Sequence, residues 1–280
     1  MLKENVKIAI IGGGVAGATT AITLGQLGIN VTLFEKESSL VSGPPFCHLH
    51  AGGNLYREIS DAQCVTLLKQ SIDFLRFYPY VVDYRPTVIA LPTTDKSTVK
   101  ALLPRLDLLV KEYEKLIQSD ENNKVLGESK NYYKLYEREE LEAFQNMSTL
   151  SIPTNSDEWM IPVAKNIDLD KVQFPLILVQ EYGLNLFRLA AGTMLTLKEI
   201  PNVTLQMETM VQDIHKKENG WNIFSIKNEH QHYNDDFDYI INAAGFRVGK
   251  IDDMINAPCK RMVEFKAAYV SKCTGLSDTL

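Results

Sequence analysis

One short stretch, GPPFCHLHAGGNLY at residues 43–56, places a cysteine, two histidines and two adjacent glycines close together. Histidine and cysteine ligate zinc, and they also line the pockets of organic cofactors. Cys47, His48 and His50 would supply the three ligands of a catalytic zinc site. On an extended segment, however, residues 48 and 50 project to one side and residue 47 to the other. This disfavours zinc, and we predict no metal site; the histidines are then polar loop residues or cofactor contacts.

A glycine motif stands upstream of that stretch. The pattern G-x-G-x-x-G at residues 12–17 follows an apolar run at residues 6–11. In such a loop the first glycine permits a tight turn, the second lets the backbone approach a diphosphate, and the third allows close helix–strand packing. The diphosphate then lies at the positive helix N-terminus. The predicted cofactor contacts of this loop are Gly12, Gly14, Val15, Ala16 and Gly17.

An acidic residue follows the next apolar run. Residues 31–34 end at Glu35 and Lys36, and both are predicted cofactor contacts. A carboxylate about 20 residues beyond the glycine loop accepts hydrogen bonds from ribose hydroxyls and repels a 2′-phosphate. The pattern therefore disfavours NADP and leaves NAD and FAD open.

The elements that must position these residues follow the order strand, helix, strand. Residues 6–11 form a continuous apolar strand of the kind buried on both faces. A helix with Ala21, Leu24 and Leu27 on one face follows and stops at Gly28. Together these elements predict a βαβ dinucleotide-binding unit.

A second part of the chain, near its other end, has strand character. Residues 199–228 alternate as strands around an Asn219-Gly220 turn. Residues 237–249 form a buried strand that runs into a turn of small residues, where the backbone can approach a cofactor. The residues of that turn are Ala243, Ala244 and Gly245.

With these motifs the sequence resembles the FAD-dependent oxidoreductases of the D-amino-acid oxidase and glycine oxidase superfamily. The resemblance is carried by IGGGVAGATTA, VTLFEK, QEYGLNLFRLAAGTML, NVTLQMETMVQDI and DYIINAAGF. It implies an α/β fold, with a Rossmann-like FAD-binding domain that has a parallel sheet and a second α+β substrate domain that is incomplete. It implies FAD as the cofactor, with Val211 beside the adenine. It also implies a flavin loop with His50, Ala51, Gly52 and Gly53, in which His50 is a candidate for covalent attachment.

The resemblance also sets the expected domain boundaries. The FAD-binding domain is expected at 1–80 and 166–250, and the substrate or cap domain at 81–165 and 251–280. Within them we expect a helix over 57–79, a break at Pro104, and a strand that contains Trp159 and Ile161. Typical members of the superfamily are longer. A second polypeptide that completes the substrate domain, a fragment and a degenerate member are the open alternatives.

The implied reaction is oxidation of a C–N bond in a small amine or amino acid, by hydride transfer to the flavin. One alternative is a hydroxy-acid (malate-like) dehydrogenase that passes electrons to quinone rather than oxygen. Another is a non-catalytic flavin-binding or redox-interaction protein. The catalytic residues are unknown, and the sequence does not single out one arginine for binding a substrate carboxylate. The four candidates are Arg57, Arg85, Arg247 and Arg261.

Composition excludes several other classes. The 280 residues carry a formal net charge of -6 without a basic cluster, which argues against a nucleic-acid partner. The apolar runs are far shorter than the ~20 residues of a membrane span. Four cysteines at wide spacing favour a reducing compartment, so we expect a cytoplasmic location or a peripheral one at the inner face of a membrane.

Overall fold

The computed structural model describes residues 5–41, 59–257 and 259–261. The chain divides into two units. The first holds the described residues of 1–47 and 186–269, and the second holds those of 48–185 and 270–280. The domain boundaries expected from the sequence, at 80/81 and 165/166, differ from these and stay a prediction.

The described residues form twelve strands and seven α-helices. The strands are β1 (Lys7–Ile11), β2 (Asn30–Phe34), β3 (Val82–Asp83), β4 (Thr87–Ile89), β5 (Tyr133–Tyr136), β6 (Leu176–Val179), β7 (Gly183–Leu184), β8 (Val203–Gln206), β9 (Thr209–Lys217), β10 (Gly220–Lys227), β11 (Gln231–Phe237) and β12 (Tyr239–Asn242). The helices are α1 (Val15–Gln26), α2 (Asp61–Phe77), α3 (Leu103–Ser119), α4 (Arg138–Phe144), α5 (Ser156–Asn166), α6 (Leu186–Glu199) and α7 (Val248–Met254).

A parallel sheet forms the centre of the first unit. Its strand order is β12-β1-β2-β8, and all three pairings are parallel. Ile11 at the end of β1 pairs with Asn242 on one side and with Phe34 on the other. The carboxyl ends of three neighbouring strands therefore meet at one edge of the sheet. The mixed α/β fold with a Rossmann-like parallel sheet is confirmed.

A second sheet of the first unit is antiparallel, in the order β11-β10-β9. The strands β9 and β10 are joined in the expected turn region, where Gly220, the first residue of β10, pairs with Lys217 and has a positive φ of 131°. The two sheets share an apolar core. This core includes Ala9, Ile11, Phe34, Val211, Ile214, Ile223, Phe237 and Ile251.

The second unit has its own core. A three-stranded antiparallel sheet, β4-β6-β5, packs against α4 and α5. The helix expected over 57–79 is α2, and α3 begins anew at Leu103 with Pro104 in its first turn, as expected. A two-residue pairing of β3 with β7 connects distant parts of this unit.

The strand expected around Trp159 and Ile161 is wrong, because both residues lie in α5. The Asn155 side chain caps this helix by accepting the Glu158 N–H at 3.0 Å. The buried face follows helical spacing through Met160, Ile161 and Ala164. Alternation of only two apolar residues is too short a signal to outweigh a cap and a helical stripe.

Among the described residues, no helix is both long and apolar enough to cross a membrane. The longest, α2 and α3, have 17 residues each and carry several charged side chains.

The N-terminus of α2 provides a test of local stability. Ser60 Oγ accepts the Gln63 N–H at 3.3 Å, and the Gln63 side chain accepts the Ser60 N–H at 2.9 Å. We expect Ser60→Ala to lower the free energy of unfolding by about 1 kcal/mol, because the Gln63 N–H loses its acceptor, whereas the bond from the backbone N–H of residue 60 to the Gln63 side chain remains. Ser60→Gly, the control, should cost only a few tenths of a kcal/mol. Urea unfolding followed by circular dichroism measures both; equal stability of Ser60→Ala and the wild type would contradict the cap.

Candidate cofactor-binding site

The turn after β1 lies directly against the turn after β12. Gly12 has a φ of 108°, and its N–H donates to Phe34 O at 2.9 Å. A Cβ added to Gly12 would lie 2.4 Å from the carbonyl oxygen of Ala243. A Cβ on Gly17 would lie 1.9 Å from the Gly12 oxygen. Both glycines are therefore required by close backbone packing, which is the role that the sequence pattern predicts.

Gly14 is in a different environment. It is the N-cap residue of α1, and a Cβ placed on it would have no atom of the described residues within 4 Å. The first intrahelical bond here runs from the Ala18 N–H to Gly14 O at 2.9 Å. The N–H groups of Val15, Ala16 and Gly17 therefore have no acceptor within the helix. Open space above Gly14, lined by these donors at a positive helix end, fits a diphosphate.

Glu35 anchors the glycine loop. Its side chain is only 8% exposed, and Oε2 accepts the Gly13 N–H at 2.7 Å. Oε1 accepts the Glu37 N–H at 2.8 Å. Each carboxylate oxygen keeps a second lone pair, so a ribose hydroxyl can still bind there. The sequence pointed to the ribose but missed the contact with Gly13, which no local signal reveals.

Lys36 points to a neighbour instead of to the loop. Its ammonium group forms an ion pair with Glu37, and both side chains are exposed. The Lys36 hydrogen bond and charge lower the pKa of the Glu37 carboxyl, and Arg247 adds a smaller effect in the same direction. A cofactor contact of Lys36 therefore stays a prediction, and its charge is already balanced.

The start of β9 is tied to the residues that follow β2. The Thr209 N–H donates to Glu35 O at 2.8 Å, and the Glu208 N–H donates to Glu37 O at 3.1 Å. Val211 is buried in the core between the two sheets. Within the described residues β9 pairs only with β10, so its other edge presents backbone groups. Val211 therefore belongs to the same unit as Glu35 and follows Thr209 by two residues, and its contact with the adenine stays a prediction.

The turn after β12 is held by Asn242. Its amide nitrogen donates to Val248 O at 2.9 Å and to Asp252 Oδ1 at 2.8 Å. Its Oδ1 accepts the Ala244 N–H at 3.3 Å. Ala243, Ala244 and Gly245 are thereby fixed beside the glycine loop. Asn242 is a positioning residue that the sequence reading overlooked, although it precedes the small-residue turn directly.

The expected flavin loop lies outside the described residues. His50, Ala51, Gly52 and Gly53 are therefore still predicted cofactor contacts, as is covalent attachment through His50. Within the ranges that the structure describes, no group of three His, Cys, Asp or Glu side chains could hold a metal ion. Cys47, His48 and His50, the three that raised the question of zinc, fall in the same undescribed stretch.

The fold and the glycine cradle define a dinucleotide-binding protein of the Rossmann type. Comparison with family models then gives a match to the FAD dependent oxidoreductase family, DAO, over residues 7–273. The chain belongs to this family, whose cofactor is FAD. Comparison with curated proteins finds no match.

Solved structures share the fold at low identity. L-proline dehydrogenase from P. horikoshii has a TM-score of 0.58 and 18% identity, over 92% of this chain and 58% of its own. Glycine oxidase from Geobacillus kaustophilus has a TM-score of 0.51 and 15% identity, over 90% and 59%. L-amino acid deaminase from Proteus vulgaris has a TM-score of 0.52 and 13% identity, over 91% and 51%. The chain thus matches less than two thirds of the length of each.

Two glycine substitutions separate folding from cofactor binding. We expect Gly12→Ala to destabilise the first unit by several kcal/mol, because the methyl group meets Ala243 and φ is positive. Gly14→Ala should change the stability by less than about 1 kcal/mol, since its φ of -67° suits alanine and the space is open. It should nevertheless weaken FAD binding, because the methyl group occupies the diphosphate space. Thermal unfolding and FAD titration measure both effects; unchanged FAD affinity in Gly14→Ala would contradict the assignment of this space.

Proposed function

We propose that this chain oxidises a C–N bond of a small amine or amino acid, with FAD as the electron acceptor, in the cytoplasm. The observation that carries the proposal is the cradle of Gly12, Gly14 and Glu35 at the carboxyl edge of a parallel sheet, in a chain of this family. The three similar structures give support, since their names refer to proline, glycine and L-amino acids. Oxygen or a quinone would take up the electrons afterwards.

The chain's own contribution to such a reaction is positioning. Bound FAD would supply the acceptor for the hydride of the C–H bond beside the nitrogen, and the substrate would leave as an imine after the nitrogen loses a proton. The backbone donors at the start of α1 would hold the diphosphate. Glu35 keeps the loop in register with β2 through Gly13 and Glu37. This fixed geometry would raise the rate of hydride transfer, because a misplaced cofactor is no longer aligned with the C–H bond of the substrate.

An amino-acid substrate also needs a cation for its carboxylate, and the choice among the four candidate arginines stays open. Of the four arginines under consideration, Arg57 lies outside the described residues and Arg261 pairs with Asp253 at 2.9 Å. Arg247 follows the cofactor turn in the first unit. Arg85, in the second unit, is exposed and has no carboxylate within ion-pair distance among the described residues.

Anaerobic titration of the purified flavoprotein tests the proposed reaction. We expect the visible absorbance of the oxidised flavin to fall when one or more amino acids or amines are added. Bleaching by hydroxy acids alone would favour the malate-like alternative, and reoxidation by quinone but not by oxygen would identify the acceptor. Flavin that no substrate reduces would favour a binding protein or a chain that needs a second polypeptide. Acid precipitation of the same sample reports on His50, because only noncovalent flavin is released.

A further inference from the structure

The residues that follow β12 and β2 flank the glycine loop. In the parallel sheet β1 lies between these two strands, and the loop begins where β1 ends. β12 continues through Ala243 and Ala244 into a single 3-10 turn, Gly245–Arg247. β2 continues into Glu35 and Glu37. Arg247 and Glu37 therefore stand on opposite sides of the same loop.

The backbone places Arg247 close to this loop. A Cβ on Gly12 would lie 2.9 Å from the Cα of Ala244, so the turn touches the loop directly. The Arg247 N–H donates to Ala244 O at 3.1 Å, which fixes the residue three positions from that contact. The charge of Arg247 also helps to lower the pKa of the Glu37 carboxyl. The turn that carries Arg247 therefore contacts the glycine loop through its backbone.

The side chain of Arg247 has no structural partner that accounts for its charge. It is exposed, and in the part of the chain that the structure describes no carboxylate lies within ion-pair distance. Its guanidinium lies 5.2 Å from the ring centroid of Phe246, and this ring is 90% exposed. An exposed aromatic ring with a cation over it restricts the guanidinium without burying it.

The charge balance of the cradle leaves a role for such a cation. A diphosphate brings two negative charges, whereas the glycine loop offers backbone N–H dipoles. Lys36, a cation that lies just after β2, is already paired with Glu37. A guanidinium is suited to phosphate, because its fork of donors matches two oxygens.

We propose that Arg247 binds the diphosphate of FAD from the β12 side of the glycine loop. The inference rests on the proposed use of FAD by this chain, and it adds a side-chain cation to a cradle otherwise built from backbone groups. Arg247 then contributes to cofactor affinity and not to the choice of substrate.

Titration of the flavin-free protein with FAD, ADP and adenosine tests the assignment. We expect Arg247→Gln to weaken FAD and ADP by roughly 10- to 100-fold, the value of a charge-assisted contact. Adenosine, which lacks the diphosphate, should lose less than about twofold. Flavin fluorescence quenching and calorimetry give these affinities without any turnover. The affinity of the wild type for FAD should also fall more steeply with salt than that of Arg247→Gln.

Two further variants make the test specific. Arg247→Lys keeps the charge and should recover part of the FAD affinity. Lys198→Ala removes an exposed positive charge from α6, next to β8 at the other side of the sheet, and should leave every affinity within about twofold. Melting temperatures of the flavin-free variants show whether each one is folded.

The outcomes separate this inference from the proposed function. Unchanged FAD affinity in a folded Arg247→Gln protein, or an equal loss for adenosine and ADP, would overturn the role of Arg247 alone. A wild-type chain that binds FAD but whose flavin no substrate reduces would overturn the proposed reaction and leave this role standing on the affinities. A wild-type chain that binds neither FAD nor ADP would overturn both.

Discussion

The buried carboxylate of Glu35 fixes the geometry on which the cofactor cradle depends. A charge removed from water is costly unless hydrogen bonds replace its hydration. Here the two oxygens accept backbone N–H groups from Gly13 and Glu37, which lie in different segments. The loop after β1 and the end of β2 are thus held together by one side chain. Any displacement of the loop would leave a buried charge short of a partner.

The parallel sheet explains why the other site residues meet at the same place. Because β12, β1 and β2 run in one direction, the turns that follow them emerge at one edge. Asn242 then secures the turn after β12, while the backbone of Glu35 and Glu37 receives the start of β9. Residues from three distant parts of the chain are brought together by backbone pairing, and α1 directs its free N–H groups to the same edge.

The second unit has a different architecture and a different set of side chains. Its core is an antiparallel sheet packed against helices, and buried tyrosine hydroxyls are paired with polar groups. Tyr136 donates to Asp157 at 2.7 Å, and burial raises its pKa. Tyr132 donates to Glu181 at 2.9 Å. These contacts stabilise a core of its own.

Local sequence determined the features that depend on near neighbours. The glycine spacing at 12–17, the turn at Asn219-Gly220 and the capped helix α2 each lie within a few residues, where propensity and periodicity are strong. The short alternation at Trp159 gave a wrong prediction because the helix cap at Asn155, four residues earlier, determines the local structure.

Only the tertiary structure decided which distant groups meet. The Glu35 contact with Gly13 spans 22 residues, and the contact of Gly12 with Ala243 joins the two ends of the first unit. Such pairs leave no periodic trace, because each partner is one residue in an otherwise ordinary segment. The sequence thus specified a dinucleotide loop and its class of cofactor, whereas the fold selected the residues that hold the loop in place.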